Sequence, residues 1–256
     1  MRVERVPVEA STRAPTGDTA CYVLGSSDAV LVDPPAADAR LEAELDRVEH
    51  VTATHHHPDH VGAVAEYAEA AGATVWCRRG REDAFERATD TDPDRTFAEG
   101  TAIATGEGPV VVRDAPGHAP EHVAFEVPGA LVSGDLAVAA GSVVVGAPEG
   151  DMRAYLASLR RVLGLAPDRL LPAHGPVVED PRATCERLID HRLDRERRVR
   201  EAIAAGNRTV AAILDAAYDK DLSGVRDLAG ATVRAHLDKL AVEGRVRWDG
   251  SRADPA

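Results

Sequence analysis

Apolar and polar positions alternate with two different periods along the first two thirds of the chain. The run CYVLGSSDAVLVD, residues 21–33, predicts a hairpin of two strands joined by a Gly-Ser-Ser-Asp turn. Residues 61–72 carry apolar side chains at helical spacing and end in Gly72, which predicts a helix and its end. Other runs predict strands at 50–56, 74–78, 108–116, 122–127, 130–135 and 169–175, and helices at 38–48 and 152–165. Because several strands are joined by hairpins, mixed sheets are favoured over a purely parallel sheet.

The last third of the chain changes from strands to helices. Residues 181–206 predict one long helix rich in arginine, and two or three further helices follow the N-cap candidate Thr209. A short strand is predicted after the helix stop at Gly244, so this end is typical of a winged-helix-like module. We therefore divide the chain into a first domain at 1–185, a linking Arg-rich helix at 186–206 and a winged-helix-like helical domain at 207–256.

Composition narrows the class of protein. The chain has 256 residues, 44% of them hydrophobic, which is enough for a buried core. Its net charge is −13, so composition gives no sign of the basic patch that nucleic-acid binding usually needs. The three cysteines are scattered and form no C-x-x-C pair, which argues against a thiolate metal site. No run approaches the roughly 18 apolar residues of a membrane helix, and no signal peptide is recognisable. We therefore expect a cytoplasmic protein with no membrane partner.

Candidate chemistry is concentrated in VTATHHHPDHVGA, residues 51–63, where a predicted strand gives way to a helix. Imidazole and carboxylate are the ligands that zinc takes when thiolates are absent. The candidate ligands in this stretch are His55, His57, Asp59 and His60. His56 lies between two of these positions, and alternation along an extended segment turns it away from them, so we expect it to be structural.

Three more candidate ligands follow apolar runs elsewhere in the chain: His118, Asp135 and His174. Each lies beside a small residue at a predicted junction of strand and loop, where strand ends can converge. A single histidine in such a loop is usually structural, but repetition of the pattern in separate loops indicates one shared metal site. Asp33, which ends the strand AVLVD, either supports the ligand loop or is a turn aspartate.

The ordered set H-x-H-x-D-H at residues 55–60, followed by the three later ligands, resembles the metallo-β-lactamase superfamily. The resemblance covers residues from about 15 to about 180 in this sequence. It implies an α/β fold, an αββα sandwich of two mixed sheets with the metals at one edge. The implied ligands are His55, His57 and His118 for one metal and Asp59, His60 and His174 for the other, with Asp135 bridging.

The chemistry of such a site is hydrolytic. Two divalent ions about 3.5–4 Å apart can hold a hydroxide at neutral pH and polarise the bond that it attacks. We therefore expect a zinc-dependent hydrolase in which a metal-bound hydroxide attacks an ester-like centre and Asp59 is the catalytic residue that orients it. Two zinc ions are the expected cofactors, and iron or manganese would also suit these ligands. His122, four residues after His118, either meets the substrate or supports a ligand.

The C-terminal third is similar to the β-lactamase-like protein 2 group, which adds a winged-helix-like domain after the metal domain. The group's HR-x-x-RE pattern is matched by His191, Arg192, Arg195 and Glu196. The resemblance implies endoribonuclease action on single-stranded RNA. Arg192 and Arg195 are therefore candidates to contact a phosphate or carboxylate of the substrate, and a solvated helix face is the alternative for both.

Two other functions remain open at this point. Residues 54–60 match the THHH-x-DH motif of glyoxalase II, so a glyoxalase II-like thioester hydrolase is the main alternative. That family ends in a helical segment rather than a winged helix, which favours the first interpretation, whereas the acidic first domain argues against RNA. A non-enzymatic, metal-free scaffold is the second alternative, and the complete ligand set weakens it. The expected partner is a small ester-like or RNA substrate, and the sequence leaves the oligomeric state open.

Overall fold

The computed structural model describes residues 1–219 and 221–256. It consists of two compact units, neither of which is continuous in sequence. The first unit comprises Met1–Ala115, Glu121–Gly141 and Pro167–Pro181. The second comprises Pro116–Pro120, Ser142–Ala166 and Arg182–Ala256. The domain limits expected from the sequence, after residues 185 and 206, stay predictions.

The first unit contains strands and short helices. Its strands are β1 (Val3–Glu9), β2 (Asp18–Leu24), β3 (Ala29–Val32), β4 (Val48–Thr52), β5 (Thr74–Arg78), β6 (Arg95–Phe97), β7 (Ala102–Ile103), β8 (Val110–Asp114), β9 (Val123–Val127), β10 (Ala130–Gly134) and β11 (Arg169–Pro172). Its helices are α1 (Ala39–Glu42), α2 (Pro58–Val61), α3 (Val64–Ala71) and α4 (Glu82–Thr89), with a 3-10 turn at Leu45–Arg47. The helix predicted over 38–48 is therefore two shorter elements.

The strands form two mixed sheets. The first has the order β1-β2-β3-β4-β5-β6, antiparallel from β1 to β3 and parallel from β3 to β6. The second has the order β11-β10-β9-β8-β7, in which only β10 and β11 run parallel. The predicted hairpin is the antiparallel pair β2–β3, where Tyr22 lies opposite Val32.

Alternating side chains of β2 enter two different cores. Tyr22 and Leu24 belong to a cluster that also contains Phe125 and Val132 of the second sheet, so this core joins the two sheets. Cys21 and Val23 belong to the other cluster. Side chains of the helices α1, α3 and α4 pack in this second cluster: Leu41, Tyr67 and Phe85. The first sheet is therefore covered on both faces, which explains the continuous burial of β2.

The second unit is mainly helical. It contains α5 (Met152–Leu165), α6 (Pro181–Ala204, whose first residue belongs to the first unit), α7 (Val210–Ala217) and α8 (Arg226–Val242). The antiparallel strands β12 (Val246–Trp248) and β13 (Ala253–Pro255) follow. A core shared by α6, α7, α8 and these two strands includes Val199, Ile213, Val233 and Leu237. The predicted N-cap at Thr209 is confirmed, because its side chain accepts a hydrogen bond from the Ala212 N–H.

These elements confirm the predicted α/β class with two mixed sheets and helices. The long helix predicted from residue 181 and the strand predicted after Gly244 are both present. Within residues 1–219 and 221–256, every helix is too short or too polar to cross a lipid bilayer.

Candidate metal centre

The first candidate ligands lie where β4 ends and α2 begins. β4 stops at Thr52, and α2 starts at Pro58, whose fixed φ suits the first position of a helix. The short connection buries His55 completely, and one turn of α2 buries His60. The Asp59 side chain remains 17% exposed. His55 and His60 are therefore buried, whereas the carboxylate of Asp59, which lies between them in the sequence, reaches the surface.

Candidate ligands of the first unit converge in two overlapping clusters. One contains His55, His60 and Asp135, and the other contains Asp59, His60 and His174. In each cluster the possible ligand atoms lie within 4.8 Å of one another. Asp135 Oδ1 lies 3.8 Å from His60 Nε2 and 3.4 Å from His174 Nε2. This carboxylate therefore lies close to both imidazoles, and its bridging role stays a prediction.

His57 adjoins the first cluster. Its Nδ1 atom lies 2.9 Å from His55 Nε2. Two imidazole nitrogens that bind one zinc ion at 2.0–2.1 Å lie about 3.3 Å apart, so this pair is close enough to share an ion. The other ring nitrogen of His55, Nδ1, lies 3.0 Å from Thr54 Oγ1, which fixes the ring on the side away from His57.

Asp33 supports this ligand loop from beneath. Its Oδ1 accepts a 2.6 Å hydrogen bond from the Thr54 N–H, and its Oδ2 accepts a 2.9 Å bond from Thr54 Oγ1. Oδ2 also lies 3.1 Å from His60 Nδ1. Asp33 is fully buried and has a left-handed backbone with φ of 55°, a conformation that aspartate tolerates better than most residues. Of the two roles expected for Asp33, the structure therefore supports that of a buttress.

The His60 imidazole is the most strongly perturbed group of the site. Burial disfavours its charged form, but Asp33 and then Asp135 and Asp59 outweigh burial and raise its pKa to about 9. This surplus of negative charge around a buried imidazole would be balanced by a cation. His60 Nε2 is buried and has no hydrogen-bond partner among the described residues. An unmet nitrogen facing carboxylates fits a metal ligand, and metal binding would displace the proton.

His122 contacts the backbone of Asp135. The Asp135 backbone N–H donates a 3.0 Å hydrogen bond to His122 Nε2, and the imidazole is 99% buried. Gly134 passes between this ring and Thr54 with φ of 49°. A side chain at residue 134 would meet Thr54 Oγ1 at 2.6 Å and His122 Nε2 at 2.8 Å. Of its two expected roles, His122 is thus placed for supporting a ligand.

His174 follows β11 and is held by backbone. Its Nδ1 lies 2.8 Å from the Asp18 carbonyl oxygen, which fixes the ring, and its Nε2 lies 3.7 Å from Asp59 Oδ2. An imidazole with one nitrogen held by a carbonyl presents the other as a ligand. His118 belongs to the second unit, where its Nδ1 lies 2.6 Å from the Val144 carbonyl oxygen. Its role as a ligand stays a prediction.

The remaining candidates have identifiable local contacts. His56 Nδ1 lies 3.7 Å from Glu121 Oε1, and its ring packs edge-on against Phe85. Arg192 is 97% buried in the second unit, where it donates to the Val143 carbonyl oxygen. Arg195 stacks 3.4 Å from the centre of the Tyr218 ring. These contacts agree with a structural His56, and substrate contact by the two arginines stays a prediction.

A cavity of about 660 Å³ adjoins Asp59 within the first unit. Its lining combines the loop between β1 and β2 and the residues that end and begin these strands with Pro35 and Ala36, between β3 and α1, and with the first two residues of α2. The charged side chains of the lining are Glu9, Asp18 and Asp59, and no lining residue is basic. A concave space of this size beside potential metal ligands is a suitable binding site for a small molecule.

Several residues of the site could not be identified from the sequence. Thr54 and Gly134 belong to ordinary-looking runs, and their roles depend on contacts between strands far apart in the chain. Glu9 and Asp18 belong to no recognisable motif. Glu9 precedes and Asp18 follows a loop that contains Pro15 and Gly17, and this composition is the one signal that could have indicated a loop near strand ends.

The chain belongs to the metallo-β-lactamase superfamily, because the superfamily's sequence model matches residues 14–174. Over nearly its whole length it is also similar to a β-lactamase-like protein 2 homolog of Drosophila melanogaster, with 30% identity covering 90% of this chain and 84% of that protein. A hydroxyacylglutathione hydrolase of Halorhodospira halophila is 35% identical over 77% of this chain and 73% of its own. The group suggested by the C-terminal third is thus supported.

Solved structures agree with the fold. A β-lactamase domain protein of Burkholderia ambifaria matches 99% of this chain and 92% of its own with a TM-score of 0.81 at 22% identity. A protein solved in a di-iron-bound form is 31% identical and covers 68% of this chain and 94% of its own, with a TM-score of 0.53. The family and the His/Asp clusters together define a metallo-hydrolase site for two metal ions.

Proposed function

We propose that this chain hydrolyses a small carboxylic ester or thioester with the help of two metal ions. The observation that carries this proposal is the convergence of imidazole and carboxylate groups from the ends of β4, β10 and β11 on the same small volume. In each cluster the possible ligand atoms of residues far apart in the sequence lie within 4.8 Å of one another. Three carboxylates, those of Asp33, Asp135 and Asp59, act on the buried His60 imidazole.

The chain's own residues have separable parts in this reaction. When bound, the metal ions activate water for attack and polarise the bond under attack. Asp59, the partly exposed carboxylate beside the cavity, accepts the hydrogen bond that orients the attacking water. Asp33 holds Thr54 and His60 in position, and His122 holds the backbone of Asp135. This buried support keeps the ligands in one arrangement, so little reorganisation accompanies the reaction.

A thioester substrate is supported by two independent features. The similarity to hydroxyacylglutathione hydrolase covers more than two thirds of both chains. The cavity beside Asp59 is lined by carboxylates and has no basic lining residue, which is unfavourable for a chain of phosphates.

Cleavage of single-stranded RNA is the second candidate. It is favoured by the similarity to β-lactamase-like protein 2 homologs, which covers about nine tenths of this chain, whereas the similarity to the Halorhodospira halophila hydrolase covers 77%. The helices α7 and α8 are followed by the β12–β13 hairpin, which is the order of elements in a winged helix. We propose that this C-terminal segment is a winged helix. A winged helix that contacts RNA would supply the phosphate contacts that the acidic cavity lacks.

Zinc is the metal that we propose, because imidazole and carboxylate are common zinc ligands in catalytic sites. Iron and manganese are the alternatives, and the relative in di-iron form supports iron. We also propose a cytoplasmic location, consistent with three buried cysteines that are free thiols.

Parallel assays of wild-type protein and Asp59→Ala on acyl thioesters and on single-stranded RNA test the proposal. We expect metal-dependent thioester hydrolysis that Asp59→Ala abolishes while the circular dichroism spectrum is retained. Asp83→Ala is the matched control, since Asp83 is an exposed carboxylate in the first turn of another helix of the same unit. Hydrolysis of RNA alone would favour the second candidate, and full thioester activity in Asp59→Ala would refute the assigned role.

A further inference from the structure

The cavity beside Asp59 has an unusual distribution of charge. Glu9 ends β1 and Asp18 begins β2, and the two residues lie directly opposite each other in the antiparallel pair. Like charges directly opposite in a sheet destabilise it. Among the described residues, no basic side chain forms an ion pair with either carboxylate. The fold therefore places two carboxylates that lack a paired basic side chain at the wall of the cavity that adjoins Asp59.

The remaining lining adds neutral polar groups but no positive charge. Ser11 and Thr16 come from the loop between β1 and β2, and Thr16 Oγ1 donates a hydrogen bond to the Asp18 carbonyl oxygen. The same carbonyl holds the His174 ring, so the wall that carries the Asp18 carboxylate is attached to a candidate metal ligand. The charge of Asp59 would be offset by bound metal, whereas Glu9 and Asp18 are not among the candidate ligands and keep theirs.

We propose that this cavity binds a positively charged, ammonium-bearing part of the substrate and discriminates against an anionic part in the same place. This inference rests on the proposed hydrolysis of a small ester or thioester, and it specifies the chemical class of that substrate. An ammonium group between Glu9 and Asp18 neutralises the cross-strand repulsion, while a carboxylate or phosphate there adds a third negative charge. Glu9 and Asp18 thus contribute selectivity when substrate binds.

The test uses three acyl thioesters of equal length whose distal groups are an ammonium, a hydroxyl and a carboxylate. One series carries the group on the thiol side and a second carries it on the acyl side, because either end could occupy the cavity. With the metal-loaded full chain at low ionic strength, we expect kcat/KM for the ammonium probe to exceed that for the carboxylate probe by about tenfold or more in one series. The preference should decrease in high salt.

The double variant Glu9→Gln, Asp18→Asn should reduce that ratio toward one, mainly by improving turnover of the carboxylate probe. Both changes keep side-chain size and relieve repulsion, so folding should be retained or improved. Glu69→Gln, which removes an exposed carboxylate of α3 that does not line the cavity, should leave the ratio at its wild-type value. Equal turnover of ammonium and carboxylate probes by wild type in both series, or an unchanged ratio in the double variant, would overturn the inference.

Binding of non-hydrolysable thioether analogues separates this inference from the proposed function. Calorimetry should give tighter binding of the ammonium analogue than of the carboxylate analogue, and the double variant should lose the difference. Selective binding without any hydrolysis would contradict the proposed thioesterase activity and uphold the inference. Hydrolysis without charge preference would do the reverse, and the absence of both binding and hydrolysis would overturn both.

Discussion

Replacement of Gly134 by alanine tests whether the support around the metal centre is as tightly packed as its contacts indicate. The residue has φ of 49°, and a left-handed conformation costs an L-residue roughly 1–2 kcal/mol. The added Cβ would lie 2.6 Å from Thr54 Oγ1 and 2.8 Å from His122 Nε2, both of them groups that are buried and hydrogen-bonded. Displacing such neighbours costs roughly 1–3 kcal/mol. We expect Gly134→Ala to lower the free energy of unfolding by about 3 kcal/mol.

A second glycine separates these two contributions. Gly72 also has positive φ, at 62°, but nothing lies within 4 Å of an added Cβ there. Gly72→Ala should therefore cost only about 1 kcal/mol in urea denaturation. Gly134→Ala should in addition weaken metal binding by about 10–100-fold, because its neighbours orient the ligands. Equal destabilisation by the two substitutions, with unchanged metal affinity, would refute the packing argument.

Three further substitutions test other parts of the account. Asp33→Ala leaves the buried Thr54 N–H without its acceptor, so it should lower the unfolding free energy by about 3 kcal/mol and reduce metal affinity; a neutral effect on both would contradict its buttress role. Burial lowers the pKa of His236, so the folded chain binds its proton less readily than the unfolded chain, and stability should fall as pH drops below about 6.5. His236→Leu should reduce that loss between pH 7.5 and 5.5, and an identical pH profile would argue against it. Asp151→Ala removes an N-cap that accepts from two N–H groups of α5 and should cost about 1 kcal/mol, against no change for exposed Asp83→Ala.

Residues 55–60 could be interpreted from the sequence because ligand chemistry and spacing coincide within six residues. In the structure His55, His60, Asp135 and His174 belong to two overlapping clusters that share His60, and their role as metal ligands stays a prediction. Strand ends that follow apolar runs were also predictable, since burial of both faces of a strand leaves a continuous hydrophobic signal.

Other elements were hidden for physical reasons. β1 gave no prediction because Pro7 and charged residues interrupt its alternation, and an edge strand tolerates both. The acidic, Pro-containing run at residues 88–96 has the composition of a loop, yet α4 ends at Thr89 and β6 starts at Arg95. The supporting contacts of Gly134 and the pairing of Glu9 with Asp18 depend on strand register, which local sequence patterns do not determine.

Metal in the His/Asp clusters is the central requirement of the proposed hydrolysis, so the decisive measurement is the metal content of the purified chain together with its activity. Mass spectrometry of the elements should find about two transition-metal ions per chain, and His60→Ala should lower that number because His60 belongs to both clusters of the first unit. Removal of the metal by a chelator should abolish thioester hydrolysis, and readdition should restore it. A purified chain that contains no transition metal, or that hydrolyses its substrate equally well after complete removal, would contradict the central claim.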